Sequence, residues 1–144
     1  MANTSNANVA NQVFATAKEI VEASYEGMGC IFAYAPTEEA ALPCLAVLPI
    51  NGEPISKQYL DGSRTESYRF AFVLRVKEET DQGRISACEK LSSIVGEMES
   101  SSMDFGADRQ FWGCMRESNP FCETNETGYI DWRVTLVVSC KTAA

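Results

Sequence analysis

The sequence predicts an α+β domain built from two amphipathic helices, a long β-hairpin and a long C-terminal strand. Three observations predict it. Apolar residues recur at helical spacing in two separate stretches, Val13–Val21 and Ile85–Met98. The dipeptide Asp61-Gly62, which accepts the left-handed angles of a tight turn, stands between two β-prone runs. The final segment alternates apolar and polar residues from Tyr129 to Cys140, the period of a half-buried strand. At 144 residues, 45% of them hydrophobic and 22% charged, the chain has the size and composition of one globular domain with a real core. A single domain over residues 1–144 is therefore expected, with residues 1–8 as a flexible N-terminal arm.

The first helix is read from Val13, Phe14, Ala17, Ile20 and Val21, which leave Lys18, Glu19 and Glu22 for the outer face. Gly27 and Gly29 end it, and Ile31 to Tyr34 is a short β-prone run stopped by Pro36. Pro36, Pro43, Pro49 and Pro54 leave room for no more than a short strand at Cys44–Leu48, because each proline removes a ladder donor. Ile55–Leu60 and Ser63–Lys77 are the hairpin arms. In the second, Tyr68, Phe70, Phe72, Leu74 and Val76 share one face. The cover for that face is a second helix capped by Thr80 or Asp81, with Ile85, Cys88, Leu91, Ile94, Val95 and Met98 as its stripe. Glu99 to Gly128 reads as irregular, broken by serines, glycines and Pro120, yet carrying Phe105, Phe111, Trp112, Met115 and Phe121. A loop of that length is rare in a compact domain and is often functional. Its aromatics need burial within the domain or at a partner.

Charge and composition exclude several functions. Against 12 Lys and Arg stand 20 Asp and Glu, a net charge of −8, so the chain repels phosphate and is no gripping or sequence-reading nucleic-acid binder. The same charge does not exclude a ring through which DNA merely slides, where repulsion would be useful. The most apolar run, Ala41–Ile50, is cut by Pro43 and Pro49, so no membrane span is expected. The Asn- and Ala-rich start lacks the basic and apolar regions of a secretory signal, so synthesis in the cytosol and free thiols are expected for Cys30, Cys44, Cys88, Cys114, Cys122 and Cys140.

Candidate chemistry fails residue by residue. With no His in the chain, a cysteine or serine nucleophile lacks its commonest base. No phosphate-binding glycine motif is present, since Gly27-Met28-Gly29 has neither the third glycine nor a preceding strand. The pairs Glu38-Glu39 and Glu78-Glu79 and the cluster Glu97–Glu99 follow no calcium-loop spacing and read as solvated faces. Asn125-Glu126-Thr127 matches a glycosylation acceptor by a pattern too short to carry weight. No enzyme, metal or cofactor is expected. Arg109, Phe111, Trp112 and Arg116 suit either base stacking or a protein contact, and the acidic chain favours the protein.

Two stretches carry a resemblance. Leu48-Pro49-Ile50-Asn51-Gly52-Glu53-Pro54, followed by Lys57-Gln58-Tyr59-Leu60-Asp61-Gly62-Ser63 and Tyr68-Arg69-Phe70-Ala71-Phe72, together with the closing Gly128-Tyr129-Ile130-Asp131-Trp132-Arg133-Val134, resembles the minor capsid or tail-terminator proteins of long-tailed bacteriophages. The order helix, hairpin, helix, long strand is similar too, and the resemblance spans about two thirds of the chain. The six cysteines and the aromatic segment depart from that family's pattern.

The resemblance implies a mixed, mainly antiparallel sheet packed by two main helices, and a structural virion role at the neck, where the particle is assembled in the host cytoplasm. It implies a homohexameric ring that caps the tail tube protein, stops polymerisation and meets a head-completion (stopper) protein, with double-stranded DNA passing through the lumen unread. Head-to-tail contacts make such a ring close. No catalytic residues come with the family. Interface candidates are Lys57, Tyr59, Asp61, Arg64 and Glu66 on the hairpin, whose backbone can extend a neighbour's sheet, and Arg109, Trp112 and Arg116 in the aromatic segment. The alternatives are another neck component or a small cytosolic protein-binding module.

Overall fold

A computed structural model of the chain describes residues 2–50, 55–107, 109–124 and 129–142. Asn51 to Pro54 and Gly128 of the resembling stretches, and the Asn125-Glu126-Thr127 triplet, lie outside the described residues. Two helices and a seven-stranded mixed sheet form an α+β fold. In chain order these are α1 (Ala2–Ser24), β1 (Gly29–Phe32), β2 (Cys44–Pro49), β3 (Ile55–Gln58), β4 (Arg64–Val76), α2 (Asp81–Ser100), β5 (Arg109–Arg116), β6 (Phe121–Thr124) and β7 (Ile130–Thr142).

The sheet is organised by one ribbon. β4 and β7 pair antiparallel along their whole length, from Arg64↔Thr142 to Val76↔Ile130. Each outer side of this ribbon carries two short strands end to end. β3 pairs with Arg64–Ser67 and β2 with Phe70–Arg75 along β4. β5 pairs with Leu136–Thr142 and β6 with Ile130–Arg133 along β7. β1 adds a parallel pairing, on β2, the one such pairing among the described residues. The hairpin forms where Asp61-Gly62 places it: Gly62 has φ +87°, and the Asp61 carboxylate accepts from the backbone N–H and hydroxyl of Ser63.

Both helices lie on one face. Val9, Val13, Ala17 and Val21 of α1 and Ala87, Leu91, Ile94, Val95 and Met98 of α2 bury against Phe70, Phe72, Leu74, Val134, Leu136 and Val138. Each fully buried Leu or Phe there stabilises the fold by about 1.5–3 kcal/mol through area removed from water. Thr80 caps α2, its Oγ1 accepting from Gly83 N–H at 3.1 Å. On the other face Ala46, Ala71 and Val73 are buried, with Leu48 beside them on β2 and Ala35 of the preceding segment packed against them. The covering segment is fixed by Arg75, which donates to both carboxylate oxygens of Asp131 (2.8 and 2.9 Å) and to Pro36 O (2.9 Å). Tyr129 Oη donates to Thr37 O from the same side.

Four sequence expectations change. The segment read as irregular between Glu99 and Gly128 contains β5 and β6. β5 escapes the alternation test because its register shifts between Phe111 and Gly113, so the helix-facing residues fall at Arg109, Phe111, Cys114 and Arg116. Ile85, expected in the α2 stripe, is 52% exposed, and Ala87, one turn before Leu91, takes the core position. α1 starts at Ala2, not Val13, and its buried stripe begins at Val9. The first strand sits two residues earlier than Ile31–Tyr34, and Tyr34 is exposed.

Candidate assembly surface

The eight residues named from the sequence gather at one end of the β4–β7 ribbon, apart from Arg116, and they divide by face. Register sets the division. Directly paired residues share a face, so Glu66, opposite Cys140, points to the helix side, while Thr65, opposite Lys141 and Lys57, points away from it.

On the helix side the charges are structural. Glu66 and Arg109, each with a side chain 8% exposed, form an ion pair of 3.1 Å between β4 and β5. Arg109 also donates to Tyr68 Oη and to Cys140 Sγ, and Tyr68 donates to Glu66. Arg64, half exposed, closes on the other oxygen of Glu66 at 2.7 Å. Burial disfavours the Glu66 carboxylate, but the Tyr68 hydroxyl and the Arg109 and Arg64 charges outweigh it and hold its pKa below the usual carboxylate range. Burial and the bond to Glu66 push the Tyr68 phenol up to about 12. Arg116 is likewise turned inward: its backbone N–H, Nε and Nη2 all donate to Glu99 of α2 at 2.8–3.0 Å. Glu66, Arg109 and Arg116 thus stiffen the scaffold from inside.

The opposite face carries an exposed cluster of aromatic and basic residues. Lys57 Nζ and Lys141 Nζ each lie 5.6 Å from the Tyr59 ring centroid, and Lys141 lies 5.4 Å from that of Trp112, a cation–π cluster spanning β3, β7 and β5. Trp112 is the extra residue of the β5 irregularity and is 50% exposed. Asp61 stands exposed at the turn, its carboxyl held below its usual range by its bonds to Ser63, with the Lys141 charge adding to the effect. Leu60 protrudes fully at the tip. Further along the β7 edge, Met115 (69% exposed) and Phe121 (45%) continue the apolar character. Of the aromatic segment, only Phe105 is buried and Phe111 packed against the core, the two rings meeting edge to face at 5.8 Å.

Sequence reasoning missed Lys141 and Leu60, and named Met115 and Phe121 only among the residues of the aromatic segment. Lys141 was legible, since it falls on the outward phase of the β7 alternation, and its partners were not. Among the described residues, no three Cys, Asp or Glu side chains come together to hold a metal, and no helix is long and apolar enough to cross a membrane. What the surface offers chemically is exposed aromatic and Met area, of the types enriched in protein contacts, beside two lysine ammonium groups, a type that is depleted there.

No family profile matches the sequence, and no curated protein matches it. Among solved structures, one similar chain comes from a structure described as the virion of a native gene transfer agent particle, at a TM-score of 0.59 and 11% identity, over 94% of this chain and 98% of that one. At that identity the likeness is one of fold, and it runs through almost the full length of both chains.

Proposed function

We propose that this chain is a structural, non-catalytic virion protein of a phage-like particle, and within it the tail terminator. The observation that carries the reading is the full-length fold shared with a chain of a gene transfer agent virion, with which the resemblance of the hairpin and closing strand to tail-terminator proteins agrees. Six copies form a ring on the last ring of the tail tube, stop its growth by covering its polymerising face, and offer a different surface to a head-completion protein. DNA crosses the lumen of the acidic ring without being read.

The contact surface assigned to this assembly is the outward cluster Lys57, Tyr59, Asp61 and Trp112, with the half-exposed Arg64 at its rim on the helix side, held in place by the buried Glu66–Arg109 pair and, farther along β5, by the Arg116–Glu99 tie. Light scattering after size separation tests it, with the protein alone and with its tube protein. A hexamer, or hexameric capping that appears only on tubes, is the expected result. A monomer indifferent to tubes overturns the reading in favour of an accessory binding module, and binding to the head side alone favours another neck component. Trp112→Ala removes a half-exposed ring and should leave the melting temperature within about 2 °C of the parent, as surface substitutions do. It should weaken ring or tube association by tenfold or more, the scale of an aromatic hot spot. Unchanged association removes Trp112 from the interface.

A further inference from the structure

We propose that Cys88 of α2 and Cys122 of β6 form an oxidisable pair whose disulfide ties the edge of the sheet to the helix above it. The six cysteines are free in this structure, with Cys88 half-buried and Cys122 exposed. Cys122 is paired with Trp132, whose neighbour on β4 is Leu74, so its side chain belongs to the helix-facing side of β6.

The position of α2 above that edge follows from Arg116. Its guanidinium reaches Ser92 Oγ and Glu99 of α2, which fixes the face Arg84–Cys88–Ser92–Glu99 over the β5 side of β7 at the level of Leu136. Cys122 lies four registers away, at Trp132, or about 13 Å along β7. At 1.5 Å per residue, about nine residues of helix cover that distance, counting back from the middle of Ser92–Glu99 to a point between Arg84 and Cys88. The two thiols share that corner: burial, then Glu89 and Cys122, raise the Cys88 pKa, and burial, then Asp131, raise that of Cys122 against the lowering charge of Arg84, one turn before Cys88. The corner is also under-satisfied, since Arg84 Nε and Trp132 Nε1 are buried there with no hydrogen-bond partner among the described residues. β6 is held to β7 by four paired residues, so it is the element able to shift toward α2 as disulfide geometry demands.

The chemistry balances with a low-molecular-weight disulfide such as oxidised glutathione. The exposed Cys122 thiolate attacks it, giving a mixed disulfide and one glutathione thiol. The Cys88 thiolate then attacks the Cys122 sulfur and expels the second glutathione. The protein loses two protons and two electrons, and both glutathione molecules leave reduced. The pair itself does not rest on the proposed function. Its use does, because a virion assembled in a reducing cytosol and released into an oxidising medium would gain the tie only after release.

The test treats the purified full chain with oxidised glutathione and maps disulfide-linked peptides. The expected result is a Cys88–Cys122 linkage, a loss of two of the six thiols titratable in denaturant, and a rise in melting temperature on the order of 10 °C that dithiothreitol reverses. Cys88→Ser should trap a glutathione adduct on Cys122, and Cys122→Ser should abolish the linkage. A stable glutathione adduct on Cys122 of the parent protein, linkage of a different pair, or no loss of thiols overturns the proposal. None of these outcomes depends on ring formation, so the two readings fail separately.

Discussion

Replacing Arg109 by Met removes the positive half of a pair in which both side chains are 8% exposed, and leaves Glu66 ionised in a space that excludes water. Breaking a buried pair from one side costs about 3–5 kcal/mol. Here two groups still serve Glu66, the Tyr68 hydroxyl and the Arg64 guanidinium at 2.7 Å, so the loss should be nearer 2–3 kcal/mol. Urea unfolding at pH 7 measures it. The pH dependence follows from the direction of the Glu66 shift. Its pKa is depressed in the folded protein, so the stabilisation is fully present above the unfolded value of about 4.3 and is lost as pH falls through the folded one. The deficit of Arg109→Met should therefore be full at neutral pH and narrow in acid. The double variant Glu66→Gln/Arg109→Met should be more stable than the sum of the two single losses implies, by at least about 1 kcal/mol. An Arg109→Met protein within about 0.5 kcal/mol of the parent at pH 7, or strictly additive losses, would refute this account of the pair.

Thr80→Ala deletes the oxygen that accepts from Gly83 N–H and should cost about 1 kcal/mol, read as a lower urea midpoint with unchanged slope. Gly62→Val forces a β-branched residue to φ +87° in the hairpin turn and should cost about 1–2 kcal/mol, with Gly62→Asn costing less; equal stability of the three proteins would show that the turn relaxes. Loss of a core side chain should weigh more than either: Leu91→Ala, at a fully buried position of α2, is expected to lower stability by about 2–5 kcal/mol in the same assay.

The parts of this fold that were legible in the sequence are those in which one physical period runs undisturbed. β4 alternates in sequence from Tyr68 to Val76 and β7 from Ile130 to Cys140, so their side chains announce both the strand and its helix-side face, although Ala71 and Val73 are buried on the other face as well. Thr80 and the spacing from Leu91 to Met98 announce α2 in the same way. β5 was hidden because one extra residue shifts its phase by half a period, and β6 because four residues are too few to show one. The parallel pairing of β1 with β2 leaves no local trace, since both strands are short and the pairing depends on how the chain between them folds over the outer face. Of the candidate site, the exposed hairpin residues were legible from the turn. Glu66, Arg109 and Arg116 look equally polar in the sequence, and only the register turns them inward.

The length of the central ribbon gives the molecule a mechanical property. Thirteen paired residues at about 3.3 Å each make a stiff beam of about 40 Å, with α2 bound near its middle through Arg116 and the Tyr59–Ser63 turn at its far end. A rocking motion of about 5° about that middle would sweep each end sideways by about 2 Å, in opposite directions. A disturbance felt at one end would thus arrive at the other as displacement, with no hinge required within the strands.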